Sequence, residues 1–149
     1  MKKSMRIGVL ADTHDRLPVS VVEAMANMDE IWHLGDVCRS ATLKPLRALG
    51  CPVLVVQGNR DRNRRWPASL IFQRKGIMFY LTHVPHKSPP LGTKVFLHGH
   101  THVPRDERIG SCRYLNPGAI GRANKGAPPS FAFLTIDRLK RVRWSLQRV

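Results

Sequence analysis

The sequence predicts an α/β protein built as two facing mixed β-sheets flanked by helices, in a single domain spanning residues 1–149. Three observations predict it. The first sixty residues alternate short apolar strands with amphipathic helical stretches, which implies a parallel sheet with right-handed crossovers. The second half changes to runs of alternating polarity separated by turn residues, the pattern of hairpins. A chain of 149 residues with 42% hydrophobic content is long enough to bury a core of its own.

Taken in order, RIGVLA (6–11) is a short buried strand. LPVSVVEAMANM (17–28) carries apolar residues at helical spacing, with Pro18 suited to a first turn. EIWHLG (30–35) is the second strand. SATLKPLRALG (40–50) is the second helix, with Ser40 as its cap, Gly50 as its stop and Pro45 disturbing its first turns. PVLVVQG (52–58) is the third strand. SLIFQRKGIMFYLTH (69–83) breaks at RKG into a hairpin, and KVFLHG follows as a further strand. ERIGSCRYLN (107–116) turns at Gly110-Ser111, and SFAFLTIDRLKRVRWSLQRV closes the chain as a long hairpin. The expected result is α/β at the front and mostly antiparallel β at the back.

The bulk composition excludes several classes. No apolar run reaches the ~18–20 residues of a membrane span. The basic, apolar start MKKSMRIGVLADTHD is interrupted by Asp12, His14 and Asp15 and reads as a strand, not a secretion signal. Cys38, Cys51 and Cys112 are scattered and form no CxxC pair, so a disulfide framework or thiolate metal site is not expected and a cytoplasmic setting is. The charge is the unusual feature: 25 Lys+Arg against 10 Asp+Glu, or +15, spread along the chain. Such a surface attracts phosphate-rich partners, nucleotides and nucleic acid included.

The chemistry collects where apolar strands end. The first three strands run into Asp12-Thr13-His14, Gly35-Asp36 and Gly58-Asn59-Arg60-Asp61. Later strands run into Leu81-Thr82-His83 and into His98-Gly99-His100-Thr101-His102. In open α/β sheets ligands bind at the carboxyl ends of strands. One such element alone is ordinary turn chemistry; their ordered recurrence, with glycines where backbone must crowd, points to a metal site. Mixed imidazole, carboxylate and amide donors without thiolates suit Mn, Fe, Ni, Co or Zn.

This ordered set resembles the motifs of the calcineurin-like metallophosphoesterases, and Asn116-Pro117-Gly118-Ala119 resembles the NPGS segment of their small single-domain phosphodiesterase branch. The resemblance runs from Arg6 to the final hairpin and implies their αββα sandwich. It implies one metal on Asp12, His14, Asp36 and His102, and a second on Asp36, Asn59, His83 and His100, with Asp36 shared. It further implies a phosphoesterase, specifically a phosphodiesterase, with two divalent transition-metal ions, manganese foremost. These would ionise a bridging water that attacks the phosphate ester substrate. On this reading His98 lies behind the site, in a supporting or packing role.

Three departures from the family stand out. Relatives often carry a histidine after Gly-Asn as a leaving-group acid; here Arg60 stands there, which cannot donate a proton near neutral pH but can grip a phosphate. Asp61 would then pair with Arg60 or a neighbouring arginine. In His83-Val84-Pro85-His86, where relatives often follow the first histidine with a small residue, His86 is a candidate substitute acid and substrate contact or a solvent-facing loop residue. Asn59-Arg60-Asp61-Arg62-Asn63-Arg64-Arg65-Trp66 places cations and an aromatic beside the site, a nucleotide-binding pattern or a solvated loop with Trp66 packed. The competing classes are a catalytically weak scaffold and a nucleic-acid-binding protein of the same fold, against which stands the complete set of ligand residues. The HxHxDH of metallo-β-lactamase-type hydrolases fits less well, since Val103-Pro104 follows His102.

Overall fold

The structure, a computed structural model, describes residues 3–121 and 126–149. Strands β1 (Met5–Leu10), β2 (Glu30–His33) and β3 (Val53–Val55) alternate with helices α1 (Val19–Ala24) and α2 (Lys44–Arg47), the latter entered through a 3-10 turn at Ser40–Leu43. Strands β4 (Ser69–Arg74), β5 (Ile77–Thr82), β6 (Val95–Leu97), β7 (Arg105–Ile109), β8 (Cys112–Asn116), β9 (Ser130–Ile136) and β10 (Val142–Arg148) follow. They form two five-stranded mixed sheets, ordered β10-β9-β1-β2-β3 and β4-β5-β6-β8-β7.

The β1-β2-β3 core of the first sheet is parallel, as the alternation with helices requires. The second half divides differently from the expectation. The final hairpin joins the first sheet antiparallel beside β1, while β5, β6 and β8 run parallel at the centre of the second. Its alternating sequence suits either sheet, and pairing with β1 lets Leu134 and Ile136 face the space between them. The hairpins at Lys75-Gly76 and Gly110-Ser111 stand where turn residues put them.

Alternation along each strand sorts side chains into three layers. Ile7, Val9, Trp32, Phe79, Leu97 and Leu115 meet between the sheets. Leu10, Ile31 and Val55 face the other way and are covered by Val21 of α1, by Met25 just after it, and by Leu43 and Leu46. Tyr80, Phe96 and Tyr114 make a separate cluster on the outer face of the second sheet. There His86 and the carbonyl of Lys87, not a described helix, lie against them.

The helices are shorter than the sequence suggests, and their caps differ. Pro18 stands outside the first turn of α1, its ψ of 142° being extended. Ser40 caps nothing; Arg39 holds the cap position, and its N–H donates to Asp15 Oδ1, 2.7 Å away in the loop after β1. Pro45 is accommodated in the first turn of α2, where an amide hydrogen would lack a partner anyway.

Candidate metal centre

The loops after β1 and β2 are laced together by backbone bonds: Asp12 N–H donates to Gly35 O at 2.9 Å, and His14 N–H to Asp36 O at 3.0 Å. This lacing bends the chain hard. Asp12, His14, Asp36, His100 and His102 all take φ between 45° and 72°, the left-handed region that non-glycine residues rarely occupy. The loops fit only because Gly58 has no side chain, since a Cβ there would collide with the amide nitrogen and Oδ1 of Asp36.

Seven side chains converge. Ligand-capable atoms of Asp12, His14 and His102 lie within 4.8 Å of one another, and so do those of Asp12, Asp36 and His83. Asp36 Oδ2 faces both groups, 3.7 Å from His14 Nε2 and 3.4 Å from His83 Nε2. His100 Nδ1 completes the second side, 3.1 Å from Asn59 Oδ1 and 3.3 Å from His83 Nε2. The His83 ring is oriented from behind: Nδ1–H donates to Leu34 O at 2.8 Å, which turns Nε2 toward the carboxylates.

Asp12 tests whether a cation fits. Its Oδ1 is buried without a hydrogen-bond partner, 3.2 Å from His102 Nε2 and 3.8 Å from both His14 Nε2 and His83 Nε2. Burial pushes its carboxyl up to about 7, the Asp36 and Asp61 charges adding to the rise against the pull of His83. Burial also works against charge on Asp36, but the His83 hydrogen bond and the Arg60 N–H, 2.8 Å from Oδ1, hold that carboxyl below its ordinary value. For His83 burial favours the neutral ring, yet Asp36 and Asp12 together raise it. Without a cation, protons must balance crowded carboxylates; a bound dication relieves the same conflict. The residues fit such a group.

The other expected site residues fare differently. Asp61 pairs with no arginine among the described residues. Its Oδ2 accepts the N–H groups of Asp36 (2.9 Å) and Gly58 (2.8 Å), and its Oδ1 that of Cys38 (2.7 Å), so it pins two loops together. Arg60 is fixed through its backbone and sends its side chain into a cavity of about 400 Å³, lined also by His14, Asp15, Cys38, Arg39 and Arg62. His86 is not at the centre: its ring lies edge-on to Tyr80 and Phe96 on the outer face of the second sheet. Trp66, half-buried, packs against the helix-side core. His98 is buried, its Nδ1–H donating to Gly99 O at 3.0 Å and its Nε2 meeting Arg105 at 3.1 Å, which fits a supporting role.

Two supporting residues escape sequence reading. His33 is fully buried at the end of β2, where Gly35 N–H donates to Nδ1; the ring proton therefore sits on Nε2 and donates to Thr13 Oγ1 at 3.1 Å. Burial, followed by the His83 charge, drives its pKa down to about 3. Asn116 donates to Gly99 O (3.1 Å) and Thr101 Oγ1 (3.0 Å), setting the path of the histidine loop. Its signal was the Asn116-Pro117-Gly118 turn, but nothing in that turn names the loop it holds.

Residues 5–139 match the model of the calcineurin-like phosphoesterase superfamily domain. A probable metallophosphoesterase of Methanothermobacter thermautotrophicus is 32% identical over 151 aligned positions, covering 89% of this chain and 87% of its own length. The phosphodiesterase YfcE of Escherichia coli is 26% identical, with 91% and 90% covered. Among solved structures, an archaeal phosphodiesterase superposes with a TM-score of 0.81 at 24% identity, over 96% of this chain and 100% of its own. Zinc-complexed Vps29 from Entamoeba histolytica superposes with a TM-score of 0.76 at 21% identity, over 96% and 98%. Those two likenesses speak for the fold alone. The family match reaches from β1 into the final hairpin and takes in every strand end that feeds the cluster, so the chain belongs to the calcineurin-like phosphoesterase superfamily.

Proposed function

We propose that the chain is a phosphodiesterase working with two divalent transition-metal ions, manganese foremost. Asp12, His14, Asp36 and His102 would hold one, and Asp36, Asn59, His83 and His100 the other. The observation that carries this reading is Asp36 Oδ2, a single buried anionic oxygen facing His14 on one side and His83 on the other. Two dications ~3.5–4 Å apart need such a shared ligand. When bound, the pair supplies Lewis acidity, neutralising phosphoryl oxygens and bringing a water to nucleophilic strength near neutral pH.

The chain's own residues do the rest. Asp61 keeps the Asp36 and Asn59 loops in register through three backbone bonds. Arg60, launched from a backbone tied to Asp36, grips the non-bridging oxygens of the phosphate. The cavity beside it offers no free acid, because Asp15 is occupied by Arg39 and Thr42. Leaving groups must therefore depart with little protonation, which favours diesters with stable leaving groups over alkyl monoesters.

The test is a hydrolysis screen of chelated and reconstituted protein with Mn, Ni, Zn or Mg. Its substrates are bis-p-nitrophenyl phosphate, p-nitrophenyl phosphate and 2′,3′-cyclic nucleotides. The expected result is turnover of the aryl diester that depends on metal and exceeds that of the monoester. Two ions bound per chain with no ester turned over under any metal would leave a metal-binding scaffold and end the enzymatic reading.

A further inference from the structure

The end of the sandwich remote from the metal centre gathers lysines and arginines from several separate segments. The site sits at the carboxyl ends of β1, β2, β3, β5 and β6; at the opposite ends lie Lys3 before β1, Lys75-Gly76 before β5, Lys94 before β6 and Ser111 before β8. The turn between β9 and β10 closes over the same end, bringing Lys140 Nζ against Gly76.

Three depressions open there. One of about 350 Å³ lies between the two sheets and is lined by Lys94, Arg108, Arg113, Lys140 and Arg141 over a floor of Ile77, Val95 and Val142. A second of about 230 Å³ adds Lys3, Lys75 and Arg138 and shares Lys140. A third of about 440 Å³ adds Arg143 and shares Arg138 and Arg141. The shared residues set the three side by side as one basic region, nine lining cations against the single lining acid Asp137. Asp137 is taken by Arg141 and Arg143, and Arg113 is taken by Asp106 from the neighbouring strand. Lys3, Lys75, Lys94, Arg108 and Lys140 make no ion pair among the described residues. Like charges gathered at this density repel one another, and an anionic ligand offsets that cost.

The geometry points to a second binding site at this end, which takes the phosphate backbone of double-stranded nucleic acid. Adjacent strand ends are ~5 Å apart, so β5, β6, β7 and β8 present their cations as a row that a polyanion can follow. A row of cations along adjacent strand ends follows a linear polyanion, which favours nucleic acid over a membrane surface. No aromatic side chain lines any of the three depressions, so base stacking of the kind that holds single strands has no platform here. Contact with phosphate alone is independent of sequence and strongly salt-dependent. This site does not rest on the proposed diesterase activity and remains if that activity fails.

The test uses full-length protein in EDTA and fluorescence anisotropy with a labelled duplex of about 20 base pairs, long enough to span the region. Binding is expected to weaken at least 100-fold between about 50 and 200 mM salt. The variant Lys94→Glu/Arg108→Glu/Lys140→Glu is expected to bind at least about 30-fold more weakly. Arg16→Glu/Lys44→Glu/Arg47→Glu on the helical side, with the same change in net charge, is expected to stay within about threefold of the parent. Equal weakening by both sets would mean diffuse attraction and overturn the site. So would tighter binding to a single strand, or to phosphatidylserine vesicles, than to the duplex. Should the first variant not fold, lysine acetylation of the parent read by mass spectrometry decides: the duplex protects Lys94 and Lys140 selectively, and uniform or absent protection refutes the proposal.

Discussion

The two ends of the sandwich present polar chemistry in opposite ways. At the carboxyl ends of the parallel strands, Asp12, Asp36 and His83 are each at most 3% exposed and sit on backbone bent into the left-handed region or tied by carbonyls. At the other end most of the cations stand exposed around hairpin turns, and Lys3, Lys94, Arg108 and Lys140 make no ion pair among the described residues. The first arrangement concentrates function in a few groups held within ångströms, each made consequential by the low dielectric around it. The second distributes it over many groups, each screened by water and worth little alone. Substitutions at the buried end should therefore have large and separate effects, whereas the exposed end yields only to several changes at once.

The largest effect is expected from Asp36→Asn, which keeps the shape and removes the shared anionic oxygen. The proposed reading predicts a fall in diester turnover of at least about 10³-fold, together with lost metal stoichiometry by elemental analysis. Near-normal turnover would show that the buried end is not the reactive one. Next comes Gly58→Ala. The added Cβ meets backbone of Asp36, which cannot step aside as a flexible side chain can. A loss of about 3 kcal/mol or more in chemical denaturation is expected, because the collision involves both loops of the cluster. A change below about 1 kcal/mol would mean the loops are less tightly laced than their bonds imply.

These two residues also mark what the sequence made legible. Asp36 and Gly58 were readable because each follows an apolar strand and because polar residues recur at strand ends in fixed order. The same reasoning located Asp12, His14, Asn59, His83, His100 and His102, which do converge. It failed where the answer depends on which backbone comes within reach. Asp61 looked like a partner for arginine, yet three amides from two loops claim it first. His86 follows His83 closely in the chain, but the loop between turns it onto the outer face of the second sheet. The final hairpin alternates equally well for either sheet, so only its pairing with β1 decides. The basic region was invisible because its cations come from separated segments and look scattered until the fold stacks the strand starts.

The third test concerns His33, which supports the buried end without touching a ligand set directly. Its pKa falls from an ordinary 6.5 to about 3 in the folded chain. The unfolded chain thus takes up a proton near 6.5 that the folded chain refuses until about 3, so stability from this group is present above 6.5 and is lost as pH falls through that window. In EDTA, so that metal release does not contribute, His33→Gln should be less stable than the parent at neutral pH. The gap should narrow by roughly 3 kcal/mol on going to about pH 4. A gap that stays constant across this range would mean that the buried ring is not held neutral.

The smallest effect, and the one that best tests where the two modes meet, is Arg60→Ala. Arg60 has its backbone in the buried end, where its N–H holds Asp36, and its side chain in an open cavity beside Arg39 and Arg62. Truncation leaves the N–H in place, so the Asp36 bond and with it the metal content should survive. What goes is one charged hydrogen-bonding fork toward the phosphate, worth about tenfold when two arginines remain nearby to share the load. The expected signature is a rise in KM for bis-p-nitrophenyl phosphate of about tenfold with kcat little changed, since a grip on ground and transition states alike is uniform binding. If kcat falls instead while KM holds, Arg60 stabilises charge that develops during the reaction and belongs to the buried mode. If metal content falls with it, the side chain shapes the loop itself, and the division between a fixed backbone and a solvent-facing side chain fails at this residue.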